Sequence, residues 1–168
     1  MKESANGQLA TGVVMTPWGP WGIAASARGI VQIELGGSTD GAAPDQGSPA
    51  ARALLAKAQE QLRAYLAGER RPFDLPMEPA PATDFQRRVW AACAQVPYGA
   101  TATYAELAQT VGSPKGARAV GQALGANPLP VLVPCHRILA SDGTLGGYGG
   151  GLPMKRGLLA LEGVTLRA

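Results

Sequence analysis

The sequence predicts an α+β chain in two parts: a small antiparallel sheet with one helix, then a mostly helical half. Three observations carry this reading. Short strand-like stretches come first, at 12–16, 21–27 and 29–35, with turns at 17–20 and near 28–29. Residues 69–82 hold four prolines and no hydrophobic period, which marks a linker between a domain at 1–68 and another at 83–168. Beyond it, helix-capping signals recur at short intervals.

Taken in order, residues 1–10 are polar and read as a frayed end, and 36–47 as a loop. Ser48-Pro49 is an N-cap followed by proline at the first helical position. Leu54, Ala58, Leu62 and Tyr65/Leu66 then recur at helical spacing, and Gly68 closes the helix. Thr83 and Gln86 fit a capping box, and Phe85, Val89 and Cys93 share a face of the helix it opens. Residues 96–99 end that helix. Thr103 and Glu106 form a second box, opening a short helix that stops at Gly112. Ser113-Pro114 is expected to cap a third helix reaching about Asn127, where Pro128 forbids continuation. Two short helices around a tight glycine-containing turn make a helix-turn-helix. Residues 130–134 read as a short buried strand, 141–151 as a loop with six glycines, and 153–162 as a last helix stopped by Gly163.

Composition narrows the function. The chain has 168 residues, 46% of them hydrophobic, enough for one domain or two small ones. No apolar run approaches the ~20 residues that cross a bilayer, and the first residues lack a signal-peptide core. Two cysteines and one histidine supply neither a disulfide framework nor an ordinary four-ligand zinc site. A metal-free intracellular protein without a membrane partner is expected. Residues 1–83 carry seven basic and eight acidic side chains, whereas 84–168 carry eight and four. An anionic partner should therefore meet the second half.

The expected third helix has two faces. Ala117, Val120 and Leu124 cluster on one side, and Lys115, Arg118 and Gln122 lie roughly opposite. Small residues Ala119, Gly121 and Gly125 flank the basic face and would let the backbone come close to a grooved partner. An ordinary solvated helix face gives the same stripe; the helix-turn-helix context favours nucleic acid.

Residues 133–138 carry the chemistry. Cysteine is a strong nucleophile only as the thiolate. The chain's one histidine, His136, directly follows Cys135, and Arg137 follows that. A neighbouring base and cation raise the thiolate fraction. Neighbours on an extended chain point to opposite sides, so Cys135 and His136 are expected to couple through a water. Glu162, among apolar Leu158, Leu159 and Leu161, is the candidate to orient the imidazole. An isolated Cys-His pair is more often a buried inert cysteine beside a surface histidine.

Larger patterns decide between these. Asn127-Pro128, the proline-flanked stretch, Pro134-Cys135-His136-Arg137, the glycine-rich run 146–151 and Leu161-Glu162-Gly163 resemble, in order and spacing, the O6-alkylguanine-DNA alkyltransferases, also called methylated-DNA–protein-cysteine methyltransferases. Phe85-Gln86, Val89-Trp90, the run 96–99 and the run 117–121 match as well. The resemblance is specific over 83–163 and rests on element order over 10–70.

The resemblance implies a ribonuclease H-like first domain and a winged-helix-like second one. It implies that Cys135 is the alkyl acceptor, His136 its water-linked base and Glu162 the orienting carboxylate. Asn127 resembles the hinge residue, and Tyr104 the phenol that donates to the guanine N3. Arg118 resembles the finger that enters the base stack, on a helix that lies in the minor groove with Lys115, Gln122, Ala119 and Gly121. Val133, Tyr148, Gly149 and Gly150 are expected to line the pocket. The implied activity is stoichiometric, irreversible transfer of the alkyl group from O6-alkylguanine in flipped-out duplex DNA, with O4-alkylthymine as a second candidate substrate. No cofactor, a cytoplasmic location and a monomer are expected. The sequence departs from several members in having Gly149 where they have Ser, and it lacks the Cys/His zinc ligands some carry. Cys93 reads as a buried small hydrophobe, and Trp18, Trp21 and Trp90 as core. Two rivals use similar residues: a Cys-His-Glu amidase or protease, and a module that binds alkylated DNA without repairing it.

Overall fold

The computed structural model describes residues 9–36, 46–69 and 72–166. The chain divides into two compact units, with the boundary between Ala80 and Pro81.

In the first unit, β1 (Ala10–Thr16), β2 (Gly19–Ala25) and β3 (Ile30–Glu34) form an antiparallel sheet in the order β1-β2-β3. Pro17 and Trp18 make the first turn, where Thr16 Oγ1 accepts from the Trp18 N–H at 3.0 Å and Gly19 adopts φ 100°. Helix α1 (Pro49–Leu66) packs on this sheet. Its N-cap is Ser48, whose side chain accepts the Ala51 N–H at 3.2 Å, an arrangement worth about 1 kcal/mol. The buried stripe is Ala51, Leu55, Ala58, Leu62 and Tyr65; Leu54, expected there, is only half-buried because Leu55 takes the core position. Trp21 is fully buried, and Trp18 stacks on it from a half-buried site at 6.2 Å.

The expected linker is in part a wall of this unit. The Ile30 N–H donates to Pro76 O and the Glu78 N–H to Ile30 O, each at 2.8 Å. Ser26 Oγ meets Glu78 Oε2 at 2.6 Å. Proline has no N–H to give a ladder, but its carbonyl still accepts, so this segment covers the open edge of β3. Gly29 makes the approach possible, since a Cβ there would lie 2.8 Å from Pro76 O.

The second unit is built on α2 (Asp84–Ala94), α3 (Tyr104–Thr110), α4 (Ala117–Gly125) and α5 (Leu152–Leu161). The Thr83–Gln86 capping box is present in both directions. Trp90 Nε1–H donates to Ala123 O at 2.8 Å and ties α2 to α4 around buried Val89, Cys93, Val120 and Leu124. Two short strands absent from the sequence reading, β4 (Ala102–Thr103) and β5 (Ile138–Leu139), pair in parallel.

Two expectations are corrected here. The third helix begins at Ala117, not at Ser113; residues 113–116 form a turn closed by the Gly116 N–H on Ser113 O at 2.7 Å. Lys115 therefore stands on that turn, before the helix. Residues 130–134 are buried, apart from half-buried Leu132, but form no strand. Their prolines remove the donors a ladder would need, and Val131 turns the chain with φ 75°, a left-handed conformation costly for a β-branched residue. Among the described residues, no helix is long and apolar enough to cross a membrane.

Candidate active site

The Val131 turn delivers Cys135. The Val133 N–H donates to Leu129 O at 2.9 Å, and Asn127 braces the turn from inside. Its Nδ2 donates to Val133 O at 3.1 Å, while its Oδ1 accepts the Leu129 N–H at 2.9 Å. Pro134 then leads into a 3-10 turn, Cys135–Arg137. The stretch is thus helical, not extended, and a short helical turn starts at the cysteine.

Burial pushes the Cys135 thiol upward, against the opposing influence of the Asn127 side chain and the Lys155 charge. Cys135 itself is half-buried. Cys93 is fully buried, and desolvation drives its thiol up to about 12, so it is inert at neutral pH.

His136 is fully buried, and its Nε2 lies 2.7 Å from Glu162 Oε2. A carboxylate can only accept, so Nε2 carries the hydrogen and Nδ1 the free lone pair. Nδ1 is buried and has no hydrogen-bond partner among the described residues. Desolvation lowers the affinity of the imidazole for a proton, and the bond and charge of Glu162 raise it. The ring is neutral at neutral pH and able to take a proton at Nδ1.

Arg137 does not act on the thiol as its sequence position suggests. It turns away and grips Glu162 with two donors, Nε to Oε1 at 2.7 Å and Nη2 to Oε2 at 3.0 Å. Its Nη1 donates to Val96 O at 2.8 Å, and its guanidinium lies 5.8 Å from the Tyr98 ring centroid. The carboxylate is held on both oxygens, which fixes where it meets His136.

The glycine-rich loop passes beside Tyr104, whose hydroxyl donates to Gly147 O at 3.4 Å. Burial raises the Tyr104 phenol, so it remains a donor. Gly146 adopts φ 70°, and a Cβ there would lie 2.9 Å from the Tyr104 hydroxyl. Tyr148 is half-buried with its hydroxyl enclosed and unpartnered, whereas Gly149 is exposed with open space around it. Val133 is buried and Gly150 half-buried.

Arg118, Ala119 and Gln122 are exposed on α4, and Lys115 is exposed just before it. Gly121 is half-buried beside the Tyr104 ring. Ala123 joins the buried face with Val120 and Leu124. One residue that sequence reasoning passed over is central: Lys155 is fully buried, with Nζ bonded to the carbonyls of Ile138, Leu145 and Gly147. The signal was available, because Lys155 shares a helical stripe with apolar Met154, Leu158 and Leu159. Among the described residues no cluster of three or more His, Cys, Asp or Glu could hold a metal.

Fold and site together place a cysteine and a buried His–Glu–Arg network in one unit with a helix-turn-helix whose outer face is basic. Comparison with known proteins identifies the kind of protein. Residues 84–164 match the DNA-binding domain of 6-O-methylguanine DNA methyltransferase, and 9–79 match its ribonuclease-like domain. The chain belongs to this family. It is 52% identical over 107 residues to the methylated-DNA–protein-cysteine methyltransferase of Mycolicibacterium paratuberculosis, a match covering 64% of this chain and 64% of that protein. It is 48% identical to the Methanosarcina barkeri protein of the same name, covering 66% of this chain and 70% of that one. Mycobacterium tuberculosis OGT, crystallised in complex with DNA, superposes with a TM-score of 0.78 at 41% identity, covering 89% of this chain and 90% of that one.

Proposed function

We propose that this protein repairs DNA by direct reversal, moving the alkyl group of O6-alkylguanine irreversibly to Cys135. One observation carries the reading: the chain's one histidine directly follows the half-buried cysteine, with Nε2 committed to Glu162 and Nδ1 buried with no partner among the described residues. That arrangement prepares a proton acceptor for a single group. The family match extends the same reading to DNA as the substrate.

The alkyl group lies inside a duplex, so the base leaves the stack at a cost of about a few kcal/mol. Arg118, exposed on α4, fills the gap, and Lys115 and Gln122 meet the backbone while Ala119 permits close approach in the minor groove. His136 takes the thiol proton through a bridging water, and Glu162 stabilises the imidazolium. The thiolate attacks the alkyl carbon, the C–O6 bond breaks, and its electron pair leaves with guanine. Tyr104 donates to the ring nitrogen on which that charge develops. Tyr148, Val133, Gly149 and Gly150 form the pocket walls. The product thioether is chemically stable. The protein acts as a cytoplasmic monomer without cofactor, and O4-alkylthymine is a second substrate to compare. The amidase reading loses to the helix-turn-helix, and a non-repairing module would have no use for the activated cysteine.

The test is intact mass spectrometry after mixing with an oligonucleotide containing O6-methylguanine. One methyl per protein, mapped to Cys135 with Cys93 unmodified, is expected. Multiple turnovers, or methyl elsewhere, would overturn the reading.

A further inference from the structure

A buried ammonium normally has a carboxylate for company, because an unpaired charge in a low-dielectric interior is costly. Lys155 has none among the described residues. Its Nζ donates to three carbonyls: Ile138 O at 2.6 Å, Leu145 O, and Gly147 O at 3.1 Å. It also stands 5.7 Å from the centroid of the Tyr104 ring. These partners come from separate parts of the site. Ile138 follows the acceptor turn, Leu145 and Gly147 belong to the pocket loop, and Tyr104 opens α3. Carbonyl dipoles and a ring face solvate a cation but do not neutralise it.

The titratable groups that face Lys155 are Cys135 and His136 on the acceptor turn, Cys93 on α2 and Tyr104 on α3. Of these, Cys93 is held as a thiol by burial, His136 is neutral, and the Tyr104 phenol stays protonated. The one group able to become an anion in the reaction is Cys135. We propose that Lys155 is a positioning residue for the transfer: its buried ammonium pins the pocket loop to the acceptor turn and supplies the counter-charge of the Cys135 thiolate, a counter-charge left unpaired once the sulfur is alkylated.

This rests on the function proposed above, and it assigns the thiolate's stabilisation to a residue outside the Cys-His-Glu set. Lys155 favours the Cys135 thiolate, and that thiolate favours the ammonium, against the desolvation that pulls Lys155 down to about 8. Reciprocity of this kind is required of any two linked sites. Atoms balance simply. The thiolate loses its charge in forming the S–C bond, guanine departs with the electron pair, and Lys155 loses its partner.

The inference is tested first on the unaltered protein. The chain has four lysines, so ¹³Cε-lysine labelling gives a spectrum that can be assigned by substitution. The Lys155 signal is titrated before and after Cys135 is methylated with iodomethane. Methylation removes the step in which Cys135 ionises beside Lys155, so the Lys155 titration should shift downward or lose that coupled step. An unchanged Lys155 titration would overturn the proposal.

The second test is Lys155→Met, which keeps the stem and removes the charge. Thiolate absorbance in the ultraviolet should titrate higher in the variant by about one unit or more, with Cys93 silent below its own range. A folded variant whose thiolate titrates with the parent's would overturn the proposal. Neither readout requires alkyl transfer. A parent that fails to dealkylate DNA would refute the proposed function and leave these titrations to judge Lys155 separately.

Discussion

Replacing Glu162 with Gln removes one charge from the centre of the buried network and leaves its shape nearly intact. Glu162 accepts from Arg137 Nε on one oxygen and from Arg137 Nη2 and His136 Nε2 on the other. A glutamine has one acceptor oxygen, so its NH₂ must face a donor on Arg137 or His136. If it faces Arg137, a buried guanidinium loses its counter-charge. If it faces His136, it donates to Nε2 and moves the ring hydrogen to Nδ1, the wrong tautomer for a base. Breaking a buried pair by removing one partner costs about 3–5 kcal/mol, and a glutamine that keeps part of the bonding should cost about 2–3. For a chain of this size that is a fall in Tm of roughly 5–10 °C.

The same substitution should slow alkyl transfer from free O6-benzylguanine at pH 7 by about 10²-fold, the usual worth of a positioned general base. The pH dependence has a definite sign. Burial raises the Cys135 thiol and lowers His136, so with the base disabled the reactive anion must come from hydroxide. The variant's rate should climb about tenfold per pH unit above neutrality, closing on the parent, whose profile is flatter. Differential scanning fluorimetry and a pH–rate series on the free base read both effects without DNA. Superimposable profiles and a Tm within a degree or two of the parent's would refute the reasoning.

Two further outcomes follow from neighbouring geometry. Arg118→Ala should slow repair of duplex DNA by about 10-fold or more and leave reaction with the free base near the parent's rate, because Arg118 is exposed on α4 and makes no hydrogen bond to the acceptor network; equal losses on both substrates would count against it. Gly146→Ala should cost about 1–3 kcal/mol and impair transfer from both substrates, since the new methyl would meet the Tyr104 ring and hydroxyl at 2.9 Å on a left-handed backbone. Gly149→Ala is the control for stability, because nothing lies within 4 Å of its Cβ position, and an equal loss of stability there would refute the steric argument.

What could be read from the residues alone follows the range of the forces involved. The Thr83–Gln86 box and the Ser48-Pro49 start are local, made within four residues, and they stand where the sequence places them. The sheet of the first unit was legible because its turns are written in Pro, Gly and Thr. Residues 130–134 were not, since a short apolar run looks alike as a strand or as a buried turn, and only the backbone at Val131 distinguishes them. The β4–β5 pair is too short to leave a period. Arg137 was misassigned because sequence adjacency suggests the thiol, whereas its side chain reaches a carboxylate 25 positions away. Lys155 escaped notice for the opposite reason: a lysine on an apolar stripe invites dismissal as a snorkelling surface residue, yet it is fully buried.

The short parallel pairing of Ala102–Thr103 with Ile138–Leu139 has a mechanical consequence. One strand leads straight into α3 and Tyr104, and the other leaves the turn that carries Cys135. The spacing between the helix-turn-helix and the sulfur is therefore set by backbone hydrogen bonds before any substrate arrives. A hinged reader could swing its nucleophile toward a lesion of variable depth. In the proposed reaction such a seam acts as a fixed gauge, so the displacement falls on the nucleic acid, and adducts are sorted by whether their reactive carbon reaches one preset point.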